Sequence, residues 1–193
     1  MYLEISGASR ISRRYFALNS FDGALTILGI VSGALATGRT DPVALNTIIV
    51  AGLGASLGMG ASGFSGAYFT ERAERAKEFE GLKRAMLSKM DQSVHKTAFR
   101  VSSLWAAFID GAAPAVTGVG SLVPVILSNM GLLGPTTALL ASISVALTML
   151  FLLGSFLGTV SGENLLLSGV RMFLVGLAVA VFLVLVGGTA WLA

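Results

Sequence analysis

Two aspartates of this sequence stand inside strongly apolar stretches, where a carboxylate is costly. Asp22 lies in the first half of the stretch 16–36, and Asp110 in the first half of the stretch 101–127. A charged side chain at the centre of a bilayer costs roughly 2.5–3.5 kcal/mol on insertion scales, so it usually faces a polar path or a partner. Such residues indicate cation coordination or proton transfer. The alternative is that each aspartate caps a helix start or extends towards the membrane surface.

Met59 is a third candidate, near the middle of the second apolar stretch. Around it, glycine and serine recur at four-residue spacing, as in Gly54 and Gly58 or Ser62 and Gly66. Small residues at this spacing are typical of a helix face that another helix approaches closely. A thioether beside carboxylates favours transition metals over Mg²⁺ or Ca²⁺, which prefer oxygen ligands. The alternative is that Met59 only packs.

The elements that position these residues are long apolar segments. Of the 193 residues 54% are apolar and 12% are charged, with a mean hydropathy of +0.83, whereas soluble domains carry roughly 25% charged residues. A span needs about 20 mostly apolar residues. The sequence therefore predicts an all-α, polytopic membrane protein, a single transmembrane domain with about five transmembrane helices, at 16–36, 43–69, 101–127, 136–158 and 169–192.

The segment 71–100 is the one long polar part of the sequence, and its apolar residues recur at helical spacing. We therefore predict that the second helix extends into the cytosol and that 71–100 is a cytosolic helical extension. Glu71, Glu74 and Glu78 share one face of that helix by their spacing. They either collect cations at the cytosolic entrance or form a solvated face paired with nearby lysines and arginines.

The basic residues predict the orientation. Twelve of the thirteen lysines and arginines flank the spans on the side of the N-terminus, and only Arg39 lies on the other side. By the positive-inside rule the N-terminus is cytosolic and the C-terminus is external or lumenal. The net charge of +3 is thus explained by topology rather than by nucleic-acid binding. The chain has no cysteine, which excludes disulfides and thiolate metal sites.

Three motifs in this order resemble the vacuolar iron transporter family: Asn-Ser-Phe-Asp-Gly at 19–23, Gly-Met-Gly at 58–60, and Ser-Gly-Val-Arg-Met-Phe-Leu-Val-Gly at 168–176. The resemblance implies a five-helix protomer that forms a homodimer, with the metal path at the two-fold axis. It implies that Asp22 and Met59 contribute to that path, and that Fe²⁺ and often Mn²⁺ leave the cytosol in exchange for protons.

Two departures from the family pattern limit what the resemblance implies. Plant-type members have a large cytosolic metal-binding domain between the second and third spans, whereas the corresponding segment here, 71–100, is short. A multi-metal reservoir is therefore not expected. Asp110 stands where the family has a small or apolar residue, so its role is inferred from its position in a span alone.

The leading hypothesis is a homodimeric Fe²⁺ or Mn²⁺ transporter that exchanges metal for protons. Glu71 and Glu74 would collect the cation, Asp22 and Asp110 would replace its hydration shell, and Met59 would select for softness. The metal is then a substrate, and no resident cofactor is expected. The alternative is a transporter or channel for another cation on the same scaffold. An enzyme is not expected, because no metalloprotease or serine-hydrolase motif occurs, and an assembly subunit would not need intramembrane acids.

Overall fold

The structure, a computed structural model, describes residues 8–86 and 94–189. These residues form helices joined by short turns, and no strand occurs among them. The predicted all-α class is confirmed. The helices are α1 (Ala8–Ala36), α2 (Pro42–Met86), α3 (Val94–Asn129), α4 (Pro135–Ser161) and α5 (Leu165–Thr189).

Each helix contains a segment long and apolar enough to cross a bilayer, so the chain is a multi-pass membrane protein. These segments are Tyr15–Ala36, Pro42–Glu74, Ser103–Asn129, Pro135–Ser161 and Leu165–Gly188. Their number agrees with the predicted number of spans; compared with the predicted bounds, the second continues to Glu74, the fourth to Ser161, and the last begins at Leu165. The final residues of the last predicted span, 190–192, lie outside the described residues.

The predicted helical extension after the second span is present in part. α2 continues without a break from Pro42 to Met86, well beyond the end of its apolar segment at Glu74. Residues 87–93 of the predicted extension lie outside the described residues, and α3 begins at Val94. That this extension is cytosolic stays a prediction.

The turn between α1 and α2 is stabilised by a helix cap. The main-chain N–H of Ala44 donates a hydrogen bond of 3.0 Å to Oδ1 of Asp41, and Pro42 begins the helix with no N–H to satisfy. The donated hydrogen bond stabilises the charged carboxylate, and it therefore lowers the pKa of Asp41.

α1 is the central helix of the bundle and contacts each of the other four. Ile27 and Val31 pack with residues of α2, α3 and α4 in one apolar cluster, whereas Ala24 and Leu28 pack with α4 and α5 in a second. Two sides of α1 are covered in this way, and the remaining surface of the helix is partly open. Asp22 lies on this open surface.

α2 and α3 cross at very short distance, which brings their polar residues beside α1. A Cβ placed on Gly60 would lie 2.9 Å from the carbonyl oxygen of Gly111, and one on Gly111 would lie 2.6 Å from that of Gly60. Only glycine fits at either position. Met59 and Asp110, each adjacent in sequence to one of these glycines, are thereby held near the crossing point.

Candidate cation site

An open cavity of about 410 Å³ lies between α1, α2 and α3, in the membrane-spanning part of the bundle. We call it the Asp22–Met59 cavity. Its lining consists of Asn19 and Asp22 from α1, of Pro114 from α3, and of four α2 residues, Gly58, Met59, Ser62 and Gly63. The structure thus brings together the two residues that the family resemblance assigns to the metal path.

Asp22 and Met59 present different donor atoms to this cavity. Asp22 is exposed in the single chain, although it lies within the first membrane-spanning segment. Met59 is half-buried, and the hydroxyl of Thr26 lies 3.5 Å from its sulfur as a hydrogen-bond donor. The Thr26 contact orients the thioether. The cavity therefore offers a carboxylate and a positioned sulfur from two neighbouring helices.

Four residues form a buried polar cluster beside the cavity, towards the end of the bundle where α1 begins; we call them the inner polar cluster. The hydroxyl of Tyr15 donates to Oε1 of Glu71 at 3.1 Å. The side-chain amide of Asn19 donates to Oδ1 of Asp110 and, at 3.1 Å, to the main-chain carbonyl of Tyr15. These bonds tie α1 to α2 and to α3.

Asp110 belongs to this cluster and lies against the cavity wall. It is 7% exposed. A Cβ placed on Gly63, a lining residue, would lie 3.3 Å from Oδ2 of Asp110. One oxygen of the Asp110 carboxylate thus lies behind Gly63, while Asn19 holds the other oxygen.

The two glutamates predicted at the cytosolic entrance lie in different environments. Glu71 is 3% exposed and is part of the inner polar cluster, whereas Glu74, one turn further along α2, is exposed. Glu74 is therefore accessible to ions in solution. Glu71 occupies the position between Glu74 and the cavity, because it stands between Glu74 and Gly63 along α2.

Two members of the cluster, Tyr15 and Asn19, were not recognised from the sequence as functional residues. Tyr15, Asn19, Asp22 and Thr26 are spaced by four, three and four residues, which places them on one face of α1. That periodicity marks a polar stripe on an otherwise apolar helix. The pairing of the stripe with Glu71 and Asp110 requires the helix packing and has no sequence signal.

Comparison with known proteins gives one informative match, and no family model matches the chain. The chain is 34% identical over 172 residues to an uncharacterized protein of the archaeon Methanocaldococcus jannaschii. The aligned region covers 87% of this chain and 84% of the relative. The chain belongs to the family of this archaeal protein. The match spans most of both chains, so the two share one membrane domain.

The described part of one chain brings together few side chains that could bind a metal ion. Among the residues that the structure describes, no group of three or more histidine, cysteine, aspartate or glutamate side chains is close enough to hold a metal ion. The acid at the cavity surface is Asp22, with Asp110 behind Gly63. One carboxylate and one thioether are fewer donors than the four to six that transition metals take in closed sites. The described residues of a single chain therefore do not form a closed metal site.

A second cavity, of about 220 Å³, lies at the opposite end of α1. Its lining includes Arg39 together with Thr37 and Thr47, and it contains no acidic residue. Arg39 pairs with Asp41 at 3.5 Å. A cation would meet a like charge here, so this cavity is not a candidate for the same chemistry.

Proposed function

We propose that this chain is a divalent transition-metal transporter that moves Fe²⁺ or Mn²⁺ out of the cytosol in exchange for protons. One observation carries the proposal. A single open cavity within the membrane-spanning region is lined by both the exposed carboxylate of Asp22 and the thioether of Met59.

The position of Asp22 supports transport over a purely structural role. An exposed carboxylate in a spanning segment is costly in contact with lipid, and the described structure gives Asp22 no salt bridge or hydrogen bond. The cost is reduced where water or a cation reaches the group. The cavity supplies a place for either.

The donor atoms support a transition metal over Mg²⁺ or Ca²⁺. Both of the latter are hard cations that prefer all-oxygen ligands, whereas thioether sulfur is a soft ligand. Met59 is held in the cavity by the hydroxyl of Thr26. Fe²⁺, a borderline cation, accepts both the carboxylate and the sulfur, whereas the harder Mn²⁺ would bind mainly through the oxygen.

A homodimer would complete the site. The α2 residues Gly54, Gly58, Ser62 and Gly66 are all exposed, and nothing lies within 4 Å of a Cβ placed on any of the three glycines. A face of this kind allows a second helix to approach closely. Since this face borders the Asp22–Met59 cavity, a second copy packed on it would supply a second carboxylate and a second thioether and would shield Asp22 from lipid.

Entry and coupling follow from the acids along α1, α2 and α3. Exposed Glu74 would attract the cation at the cytosolic entrance, Glu71 would lie next on its way, and Asp110 with Asp22 would replace its water. Ligating carboxylates must be deprotonated, so protons arriving from the other side would compete with the metal and release it. The basic bias of the sequence supports a cytosolic N-terminus for this direction of transport.

The test is metal uptake by proteoliposomes that contain the purified full-length protein, across Fe²⁺, Mn²⁺, Co²⁺, Zn²⁺, Ca²⁺ and K⁺, with internal pH recorded at the same time. We expect flux of Fe²⁺ and Mn²⁺ accompanied by counter-movement of protons. Flux of K⁺ or Ca²⁺ without Fe²⁺ or Mn²⁺ would assign the scaffold to another cation. Empty liposomes and the Asp22→Asn variant are the controls.

A further inference from the structure

α3 contains two prolines inside the helix, Pro114 and Pro124. Proline has no main-chain N–H, so the carbonyl four residues before each proline loses its helical hydrogen-bond donor. The two carbonyls are those of Asp110 and Gly120. Within a bilayer such a carbonyl is tolerated where it lies against protein or lines a polar cavity.

The Asp110 carbonyl lies beside Gly63, a residue that lines the Asp22–Met59 cavity. A Cβ placed on Gly63 would lie 2.9 Å from this carbonyl oxygen. Gly63 and Pro114 both line the cavity. Any side chain at position 63 would therefore displace this oxygen or push α2 and α3 apart.

The carbonyl released by Pro124 belongs to a residue outside the cavity lining, Gly120. A Cβ placed on Gly120 would lie 2.8 Å from the terminal methyl of Met149, on α4, and Gly120 is not part of the cavity lining. The same loss of a helical hydrogen bond therefore occurs once beside two lining residues of the candidate cation site and once at a residue that packs against α4.

We propose that the main-chain carbonyl of Asp110 is an oxygen ligand for the cation in the Asp22–Met59 cavity, freed from its helical hydrogen bond by Pro114 and adjacent to the lining residue Gly63. Carbonyls released from helical hydrogen bonding coordinate cations in transporters with interrupted helices. The carbonyl adds a neutral hard donor from α3 to the carboxylate of α1 and the thioether of α2. It also adds a ligand to a chain in which no three acidic side chains among the described residues lie close enough together to hold a metal ion.

This proposal rests on the proposed function, because it assumes that a divalent cation enters the cavity. It predicts that two uncharged residues, Pro114 and Gly63, contribute to the affinity of the cavity for the cation. A purely structural role of Pro114, as a bend in α3, would leave cation affinity unchanged once the helix has folded.

Pro114→Ala and Pro124→Ala test the proposal as a matched pair, with Mn²⁺ as the probe in equilibrium binding to the purified full-length protein. Alanine at 114 restores an N–H that bonds the Asp110 carbonyl and removes it as a ligand. We expect the apparent Kd for Mn²⁺ to rise about tenfold or more in Pro114→Ala, the scale seen for supporting groups at metal sites. In Pro124→Ala it should stay near the wild-type value.

Gly63→Ala and Gly58→Ala form a second pair, which decides the matter if Pro114→Ala does not fold. Both glycines line the cavity, but a Cβ has open space at Gly58 and meets the Asp110 carbonyl at Gly63. Weaker Mn²⁺ binding in Gly63→Ala alone supports the proposal. Normal Mn²⁺ binding by folded Pro114→Ala, or by Gly63→Ala, overturns it while leaving the proposed function intact. Wild-type protein that neither binds nor transports Mn²⁺ overturns both.

Discussion

The side-chain amide of Asn19 donates a hydrogen bond to the carboxylate of Asp110, and so joins the central helix α1 to α3 across 91 positions of sequence. Asp110 is almost fully buried, and Asn19 also lines the cavity that contains Asp22. The amide of Asn19 therefore holds Asp110 in place beside the cavity, and Asp22 lies on the surface of that cavity.

Asn19→Ala should lower the free energy of unfolding by about 1–3 kcal/mol, because it leaves a buried acceptor without its donor. The measurement is equilibrium unfolding in mild detergent with added denaturant. Asp110→Ala in the Asn19→Ala background should cost less than it does in the wild type, since the lost partner no longer matters. Additive losses would show that the two side chains do not interact.

Asp22→Asn should abolish transport or slow it by at least about tenfold. Mutation of residues that only support the ligands of a metal site already lowers metal affinity or activity by about this factor. Asparagine keeps the size and one acceptor oxygen, but it removes the charge that offsets a dehydrated cation and the group that exchanges metal for protons. Asp110→Asn should give a smaller defect, because Asp110 lies behind Gly63. The measurement is Mn²⁺ uptake into proteoliposomes.

Glu163→Gln is the matched control for these variants. Glu163 pairs with Arg171 in the exposed turn between α4 and α5 and is not part of the cavity lining. Its loss should leave uptake unchanged. Normal uptake with normal pH dependence in Asp22→Asn would show that the proposed mechanism is wrong.

Met59→Leu should reduce the preference for Fe²⁺ over Ca²⁺ and change the free energy of unfolding by less than ~1.5 kcal/mol, since the two side chains have similar volumes. Competition uptake in proteoliposomes measures the preference. Met149→Leu is the matched control, because its sulfur also lies 3.5 Å from a hydroxyl, that of Ser121, and it does not line the cavity. If both variants showed the same preference for Fe²⁺ over Ca²⁺, the role of Met59 would be limited to helix packing.

Ser62→Cys should cross-link two copies of the chain in native membranes, because Ser62 lies on the exposed small-residue face of α2 where we place the second copy. The chain has no cysteine, so each engineered thiol is unique. Ser144→Cys, on an exposed part of α4, should not cross-link under the same short reagent. Monomers alone from Ser62→Cys would contradict the proposed dimer face.

Asp41→Asn should lower the melting temperature near neutral pH and have no effect at strongly acidic pH. The pKa of Asp41 is lowered from its ordinary value of 3.8 by the N–H of Ala44, so the charged cap stabilises the fold above that pH. The stabilisation is lost as the pH falls through the lowered pKa. Asparagine still caps the helix but does not titrate. A difference in melting temperature that persists in acid would contradict this explanation.

The five spans are determined by the sequence alone, because apolar content over about 20 residues is a local property that decides where a chain enters a bilayer. Asp22 and Asp110 can be recognised in the same way, since each is a charge in an apolar window. The continuation of α2 beyond its span also follows from local helical periodicity.

The arrangement of the polar residues is decided by the tertiary structure. The pairs Tyr15 with Glu71 and Asn19 with Asp110 join positions 56 and 91 residues apart. No local pattern encodes them, because helix crossing distances and rotations set which faces meet. The close contact of Gly60 with Gly111 sets the α2–α3 crossing. That crossing places Asp110 behind Gly63, and it leaves Asp22 and Met59 facing one cavity.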